Sequence, residues 1–561
     1  MPDPFSIALA GVAGAGLLVA GDKARKRLAL SQAKHRSLAG HVRMGKRVAQ
    51  LIPFYSYDER RFFRADGVDD VIAARRREGF FRLAAEFKAR YPKTLALTGE
   101  ARKGLSDLQF TSSYRVPFQF SPLVRTHLGT GVFQSESHGP EVVDPDGNRF
   151  IDLTGSYGVN LFGYDFYKQC IAEGTKTVEA LGPVLGAYHP VVASNVRRLC
   201  DISGHDEVSF HMSGTEAVMQ AVRLARYHTG RQRVVRFCGA YHGWWGDVQP
   251  GIGNPVPADR TLTLADMSEK TLRVLAQRRD IACVLVNPLQ ALHPNAGAPA
   301  DSALIDSSRR ASFDKAAYGD WLKRLAQTCA KAGIVLIFDE VFVGFRLAPG
   351  GAAEYFGVQP DMITYGKTLG GGLPIGVLCG RAGLMKRFRE DRPVDVCFAR
   401  GTFNSHPYVM GAMDAFLRRL ETPEIRTYYD DLDGRWNKRA DALNARLMAE
   451  DLPVQVANLQ TIWTVFYTRP GRYNWMLQYY LRSHGLALSW VGTGRLIFPL
   501  NFDDATFAEF VERFVAAAKT MRQDGWWDAP AGLADKAIRR SVLREALAVR
   551  WPFLAAPAPA P

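Results

Sequence analysis

The stretch Ile334–Gly372, IVLIFDEVFVGFRLAPGGAAEYFGVQPDMITYGKTLGGG, decides how the rest of the chain is read. It opens with an unbroken run of β-branched and large apolar residues, Ile334 to Phe338, that stops abruptly at Asp339-Glu340. A short continuous run of this kind predicts a strand buried on both faces, as in a parallel sheet. In open α/β sheets ligands collect beyond the carboxyl ends of the strands, where Asp339 would stand. A second apolar run, Met362 to Tyr365, leads to Lys367 in a loop containing Gly366, Gly370, Gly371 and Gly372. An acid at one strand end and a lysine at the next can address the two ends of one flat cofactor.

Pyridoxal phosphate needs that arrangement: a carboxylate keeps the pyridine nitrogen protonated, and a lysine forms the Schiff base. The stretch resembles the signature of class III, fold-type I aminotransferases, particularly the glutamate-1-semialdehyde aminomutase-like branch. The resemblance runs from about Arg115 to Thr520. It implies an α/β fold with a large domain on a mostly parallel sheet flanked by helices, and a smaller α+β domain. It also implies pyridoxal 5′-phosphate as cofactor, with Lys367 and Asp339 as the catalytic pair.

Other segments extend the pattern. Val208, Phe210 and Met212 alternate as a strand should, and helical spacing follows from Ala217 to Tyr227. Between them Ser213 and Glu216 fit a capping box. A helix N-terminus also offers free N–H groups and a favourable dipole to phosphate. The resemblance makes Ser213, Gly214 and Thr215 the cradle of the cofactor phosphate. It makes Tyr241 the aromatic that stacks on the cofactor ring; His242, beside it, reads as readily as a structural histidine as a catalytic one. Thr402, in ARGTFNSHP (399–407), would reach the cofactor phosphate of a neighbouring subunit, which implies a homodimer with shared active sites.

On the substrate side, VVDPDGNRFIDL (142–153) reads as a β-hairpin with Asp-Gly at its turn. The GSYGVNLFGY segment (155–164) resembles the family's substrate-proximal segment, so Ser156 and Tyr157 are pocket candidates. Arg125, in SPLVR, aligns within one residue of an arginine that grips a substrate carboxylate in the aminomutase branch, and Arg115 is the other arginine to test. Where the family usually has Glu-Pro, this chain has Asn287-Pro288, which removes a carboxylate near the substrate.

The 561 residues are 47% hydrophobic and 23% charged, an ordinary soluble composition with material for two or three domains. Seven scattered cysteines without CxxC or ligand clustering read as reduced core thiols, and no metal site is indicated. The net charge of +15 is concentrated: residues 1–50 hold nine Lys/Arg against Asp3 and Asp22. Basic residues interleaved with aromatics in a nucleic-acid module are absent, so nucleic acid is not expected as a partner. Phe5–Gly21 is apolar and uncharged for 17 residues, and Lys23, Arg25, Lys26 and Arg27 follow it. That pattern predicts an N-terminal membrane anchor with the remainder on the cytoplasmic face. FYSYDERRFF reads as a segment at the membrane interface.

The expected organisation is a membrane-anchor helix (1–21), a basic helical extension (22–110) and the N-terminal part of the small domain (111–170). The large cofactor domain (171–415), the C-terminal small domain (416–525) and a basic helix with an Ala/Pro tail (526–561) complete it. The first functional expectation is an aminotransferase moving an amino group from an amino-acid donor to an aldehyde or ketone, lipid-like or carrier-bound, at the membrane. The alternative is a glutamate-1-semialdehyde-type 2,1-aminomutase. A third reading, from another class, is a non-catalytic membrane scaffold that kept the fold.

Overall fold

A computed structural model describes residues 4–36, 40–111, 116–249, 251, 253–254, 259–293, 295, 307–488, 494–551 and 553. Arg115 and most of the Ala/Pro tail lie outside the described residues. The helices named below are α1 (Pro4–Ala33), α2 (Asp70–Arg90), α3 (Pro92–Arg102), α4 (Gly214–Thr229), α5 (Lys315–Ala332) and α6 (Asp535–Arg550).

Seven strands build the central sheet: β1 (Glu207–His211), β2 (Arg233–Phe237), β3 (Thr261–Leu264), β4 (Ile281–Val286), β5 (Val335–Asp339), β6 (Met362–Gly366) and β7 (Gly376–Gly380). Their spatial order is β1-β7-β6-β5-β4-β2-β3. All run parallel except β7, which is antiparallel to both neighbours. Every residue of β4, β5, β6 and β7 is buried, which is why these strands read as unbroken apolar runs. α5 feeds the central strand; the Asp314 carboxylate caps its start by accepting from Ala317 N, and Gly333 ends it at φ +60°.

The hairpin at 141–152 forms with an aspartate at its turn: Asp144 Oδ1 accepts from Asp146 N (3.0 Å) and Asn148 N (2.9 Å). Its second strand pairs in parallel with Leu486–Ala487, so two segments far apart in sequence share one sheet. A separate three-stranded sheet, Val454–Leu459, Ile462–Tyr467 and Arg495–Ile497, packs Trp463 against Trp436 and Phe498.

The N-terminal region corrects the membrane expectation. Among the described residues no helix is long and apolar enough to cross a membrane. The apolar run of 17 residues would span only about 26 Å as a helix, short of a hydrocarbon core of about 30 Å, and its many Gly and Ala lower its hydropathy. α1 also continues without a break through Asp22, Lys23, Arg25, Lys26 and Arg27, with Lys26 paired to Asp22 at 2.6 Å. Its end docks on the protein: Ala33 is buried, Ala265 N donates to Ala33 O (2.9 Å), and Lys34 bridges Leu264 beside β3. With the anchor go the predicted membrane contact, the cytoplasmic-face location and the premise for a lipid-like acceptor.

Apart from the exposed Phe54, the aromatics of FYSYDERRFF pack against or inside the molecule. Phe62 and Phe63 are buried among Phe80, Phe120 and Trp526. Arg76 is fully buried and chelates Asp66 with two 2.8 Å hydrogen bonds while also donating to Gly525 O and Phe63 O. α6 closes over this layer through Glu545, which accepts from Arg61 (2.9 Å), Arg472 (3.1 Å) and the Tyr57 hydroxyl. Glu545→Ala leaves the buried Arg472 guanidinium without its carboxylate and is expected to destabilise by about 3 kcal/mol. A lower denaturation midpoint, with faster hydrogen exchange confined first to residues 535–550, is the readout.

Candidate active site

Asp339 ends β5 and Lys367 follows β6, on adjacent parallel strands in which Asp339 is opposite Thr364. The Asp339 carboxylate is held from several sides: Oδ1 accepts from Val341 N (3.2 Å) and the Thr364 hydroxyl (3.4 Å). Oδ2 accepts from His242 Nδ1 at 2.7 Å. Both side chains of that pair are buried. A carboxylate only accepts, so the ring proton sits on Nδ1. Burial depresses the His242 pKa, with the Asp339 hydrogen bond opposing it, so the neutral imidazole is favoured.

Lys367 adopts φ +49°, in the left-handed region. For a residue with a side chain that conformation is a marker of functional constraint. Its ammonium lies 5.8 Å from the centre of the Phe342 ring, and among the described residues it has no hydrogen-bond or ion-pair partner. Burial lowers its pKa, with Asp339 acting in the opposite sense. A recessed amine without a partner and with a depressed pKa is suited to nucleophilic and proton-transfer work.

Ser213, Gly214 and Thr215 form the start of α4, between β1 and the Asp339 strand end. Ser213 Oγ accepts from Glu216 N (3.3 Å), and the Glu216 carboxylate accepts from Met212 N (2.9 Å). Close packing explains two glycines. A Cβ at Gly214 would come within 2.6 Å of the Val341 side chain, and one at Gly243 within 2.5 Å of Thr215 Oγ1. The α4 N-terminus, the residues after Asp339 and the Tyr241-His242-Gly243 loop are therefore in mutual contact. Tyr241 is exposed on that loop, and Asn287 Nδ2 donates to its carbonyl (3.3 Å). The Asn287 amide is thus committed to backbone, with Oδ1 accepting from Leu289 N.

These residues fit pyridoxal phosphate. A buried acid and a partnerless lysine stand at neighbouring strand ends, a helix N-terminus lies beside them, and His242 Nε2 is buried without a partner. Thr402 is exposed in the loop before helix Pro407–Leu420 and is not drawn into this group within the chain.

Ser156 and Tyr157 occupy consecutive left-handed positions, φ 43° and 57°, between Gly155 and Gly158. Ser156 Oγ bonds the Tyr164 hydroxyl (2.7 Å), which donates to Asp152 (2.6 Å). Gly158 touches the lysine: a Cβ there would approach Lys367 Cδ to 3.3 Å. Ser156 and Tyr157 also line a cleft of about 870 Å³, as does Arg125. Arg125 is steadied by Ser121 Oγ, which accepts from Nε at 2.7 Å, and its guanidinium faces no carboxylate among the described residues.

Four residues here escaped sequence reasoning. Arg346 is buried and donates to Thr461 Oγ1 (3.0 Å), Phe498 O (2.7 Å) and Asn160 O (3.0 Å), tying the substrate-side turn to the second sheet. Glu340 is buried, accepts from Ala353 N (2.8 Å) and is pushed up to about 8 by burial. The Asp152–Tyr164 pair completes the set. The only signal for Arg346 and Glu340 was their place in the DEVFVGFR run.

The His242 Nδ1–H is placed to orient the Asp339 carboxylate. His242→Phe is expected to lower kcat ten- to a hundredfold while the fold persists. A shifted pH–kcat profile, absent in a surface histidine control such as His138→Phe, separates positioning from general destabilisation.

A family model described as "Aminotransferase class-III" matches residues 125–518. A glutamate-1-semialdehyde 2,1-aminomutase from Desulfotalea psychrophila is 32% identical over 377 residues, covering 63% of this chain and 80% of its own. Its counterpart from Syntrophus aciditrophicus is 34% identical, covering 65% and 84%. Among solved structures, a transaminase with pyridoxal phosphate bound superposes with a TM-score of 0.61 at 25% identity, covering 77% of this chain and 98% of that one.

Proposed function

We infer the reaction from one premise: the chain belongs to the class-III aminotransferase family, in its glutamate-1-semialdehyde aminomutase-like branch, and its cofactor is pyridoxal 5′-phosphate. We propose that it shifts an amino group between neighbouring carbons of one anionic amino aldehyde, a 2,1-aminomutase-type reaction. The supporting observation is that Arg125, with no carboxylate partner among the described residues, shares a cleft with the Ser156–Tyr157 turn that abuts Lys367. The relatives named above, both aminomutases, point the same way.

When bound, the cofactor supplies an aldehyde for amino groups and a ring that accepts the electron pair left by a departing proton. The chain's own residues do the rest. Lys367 Nζ takes a proton from one substrate carbon and returns it to another position, a role its depressed pKa suits. Asp339 balances positive charge at the ring end, oriented by the His242 Nδ1–H. The Gly214 and Thr215 N–H groups and the Ser213 hydroxyl would hold the cofactor phosphate at the α4 N-terminus. Tyr241 would cover the cofactor ring, and the Arg125 guanidinium would bind the substrate carboxylate in its forked geometry.

A two-substrate transaminase is the second reading, favoured by Asn287 in place of the family's usual glutamate. Glutamate-1-semialdehyde supplied alone, followed by NMR, discriminates the two. Turnover to the isomeric amino ketone without any added amine supports the shift; turnover only after a second amino compound is added supports the transaminase. Arg125→Ala is expected to raise KM ten- to a hundredfold with kcat within about threefold, since a lost charge-assisted hydrogen bond to bound substrate is uniform binding. Unchanged KM removes Arg125 from the pocket.

A further inference from the structure

The family match begins at residue 125, yet the cleft lined by Ser156 and Tyr157 has a wall built from residues before it. Phe81, Ala84 and Lys88 line it from α2, and Leu95, Thr98 and Arg102 from α3. The same i, i+3, i+7 spacing in both helices puts each trio on one helical face. By helical rise each face is about 10 Å long. The small residues leave room between the helices and the Ser156–Tyr157 turn. The resulting volume of about 870 Å³ is that of a site for a drug-sized molecule, well beyond a five-carbon amino aldehyde.

The charge of the cleft is one-sided. Lys88 and Arg102 are exposed on its wall with Arg125 opposite, and among the described residues none of the three pairs with a carboxylate. The carboxylate lining the cleft, Asp152, is buried and already accepts from the Tyr164 hydroxyl (2.6 Å) and Thr154 N (2.8 Å). Unpaired cations along a recess raise the local concentration of anions.

We propose that the cleft takes an extended substrate carrying a second anionic group, carboxylate or phosphate, remote from its amino group, and that α2 and α3 hold this distal anion through Lys88 and Arg102. The inference rests on the reading of this cleft as the substrate site. It makes the N-terminal extension a specificity element, one that sets how long and how charged the substrate is.

Calorimetric titration of the holoenzyme with nonanedioate, its monomethyl ester and 8-phosphonooctanoate tests it. Both dianions are expected to bind at least tenfold more tightly than the ester, the tighter of the two identifying the distal group. In the Lys88→Gln/Arg102→Gln double variant, with a melting curve like the parent's, that preference disappears; Lys88→Glu/Arg102→Glu should weaken both dianions further. An ester that binds within twofold of the dianions, or a preference that survives the double substitution, overturns the proposal. The two readings fail differently. Loss of the amino-shift reading shows as no donor-free turnover while the dianion preference persists; loss of this one shows as no preference while donor-free turnover persists.

Discussion

Lys367→Ala is expected to lower turnover by at least about 10⁴-fold, the combined effect of losing a covalent attachment point and a general acid–base group. Lys367 is recessed at the end of β6, has no hydrogen-bond partner among the described residues, and has its pKa lowered by burial. The Gly158 turn and the Phe342 ring pack against its side chain, so no other lysine can take its place without rebuilding that wall. Lys367→Arg should fail as completely, because a guanidinium neither gives up its proton near neutral pH nor forms the covalent link. Single-turnover rates with a melting curve as fold control are the readout. Sustained multiple turnover in either variant would remove Lys367 from the chemistry.

Asp339→Asn is the second large effect, a fall in kcat of about 10²- to 10³-fold. The amide is nearly isosteric and can keep the contacts with Val341 N and the Thr364 hydroxyl, so the backbone at the β5 end should not move. What it loses is the negative charge that would face the cofactor's ring nitrogen. It also presents His242 with an ambiguous partner, since an amide both donates and accepts. Cofactor retained through gel filtration together with the drop in kcat would locate the effect in chemistry and not in binding. A kcat within threefold of the parent would contradict the role given to the β5 terminus.

Sequence was most legible where one local rule acted alone. The β5 and β6 runs, buried along their full length, could be read as parallel strands because no polar face interrupts them. The α4 start could be read from its cap, since Ser213 Oγ does accept from Glu216 N, although the Glu216 carboxylate reaches one residue further back, to Met212 N. Legibility failed where the third dimension decides. His242 and Asp339 are 97 residues apart and meet only because the loop after β2 lies over the end of β5. Ser156 and Tyr157 take left-handed conformations that nothing in their residue types announces. The N-terminal segment misled because apolar content alone does not report length, glycine content and docking together; α1 carries its charges in the same helix and ends on Leu264. The aromatics of residues 54–63 misled for a related reason. An aromatic and basic segment suits a membrane interface, but here Arg76, Arg472 and Glu545 give it an interior to pack into.

The most direct measurement is borohydride reduction of the purified protein, followed by peptide mass mapping. The expected result is loss of the visible cofactor absorption and the cofactor's mass on the peptide containing Lys367, and on no peptide in the Lys367→Ala variant. Cofactor mass on another lysine, or none on any peptide of a protein reloaded with the aldehyde form of the cofactor, would contradict it.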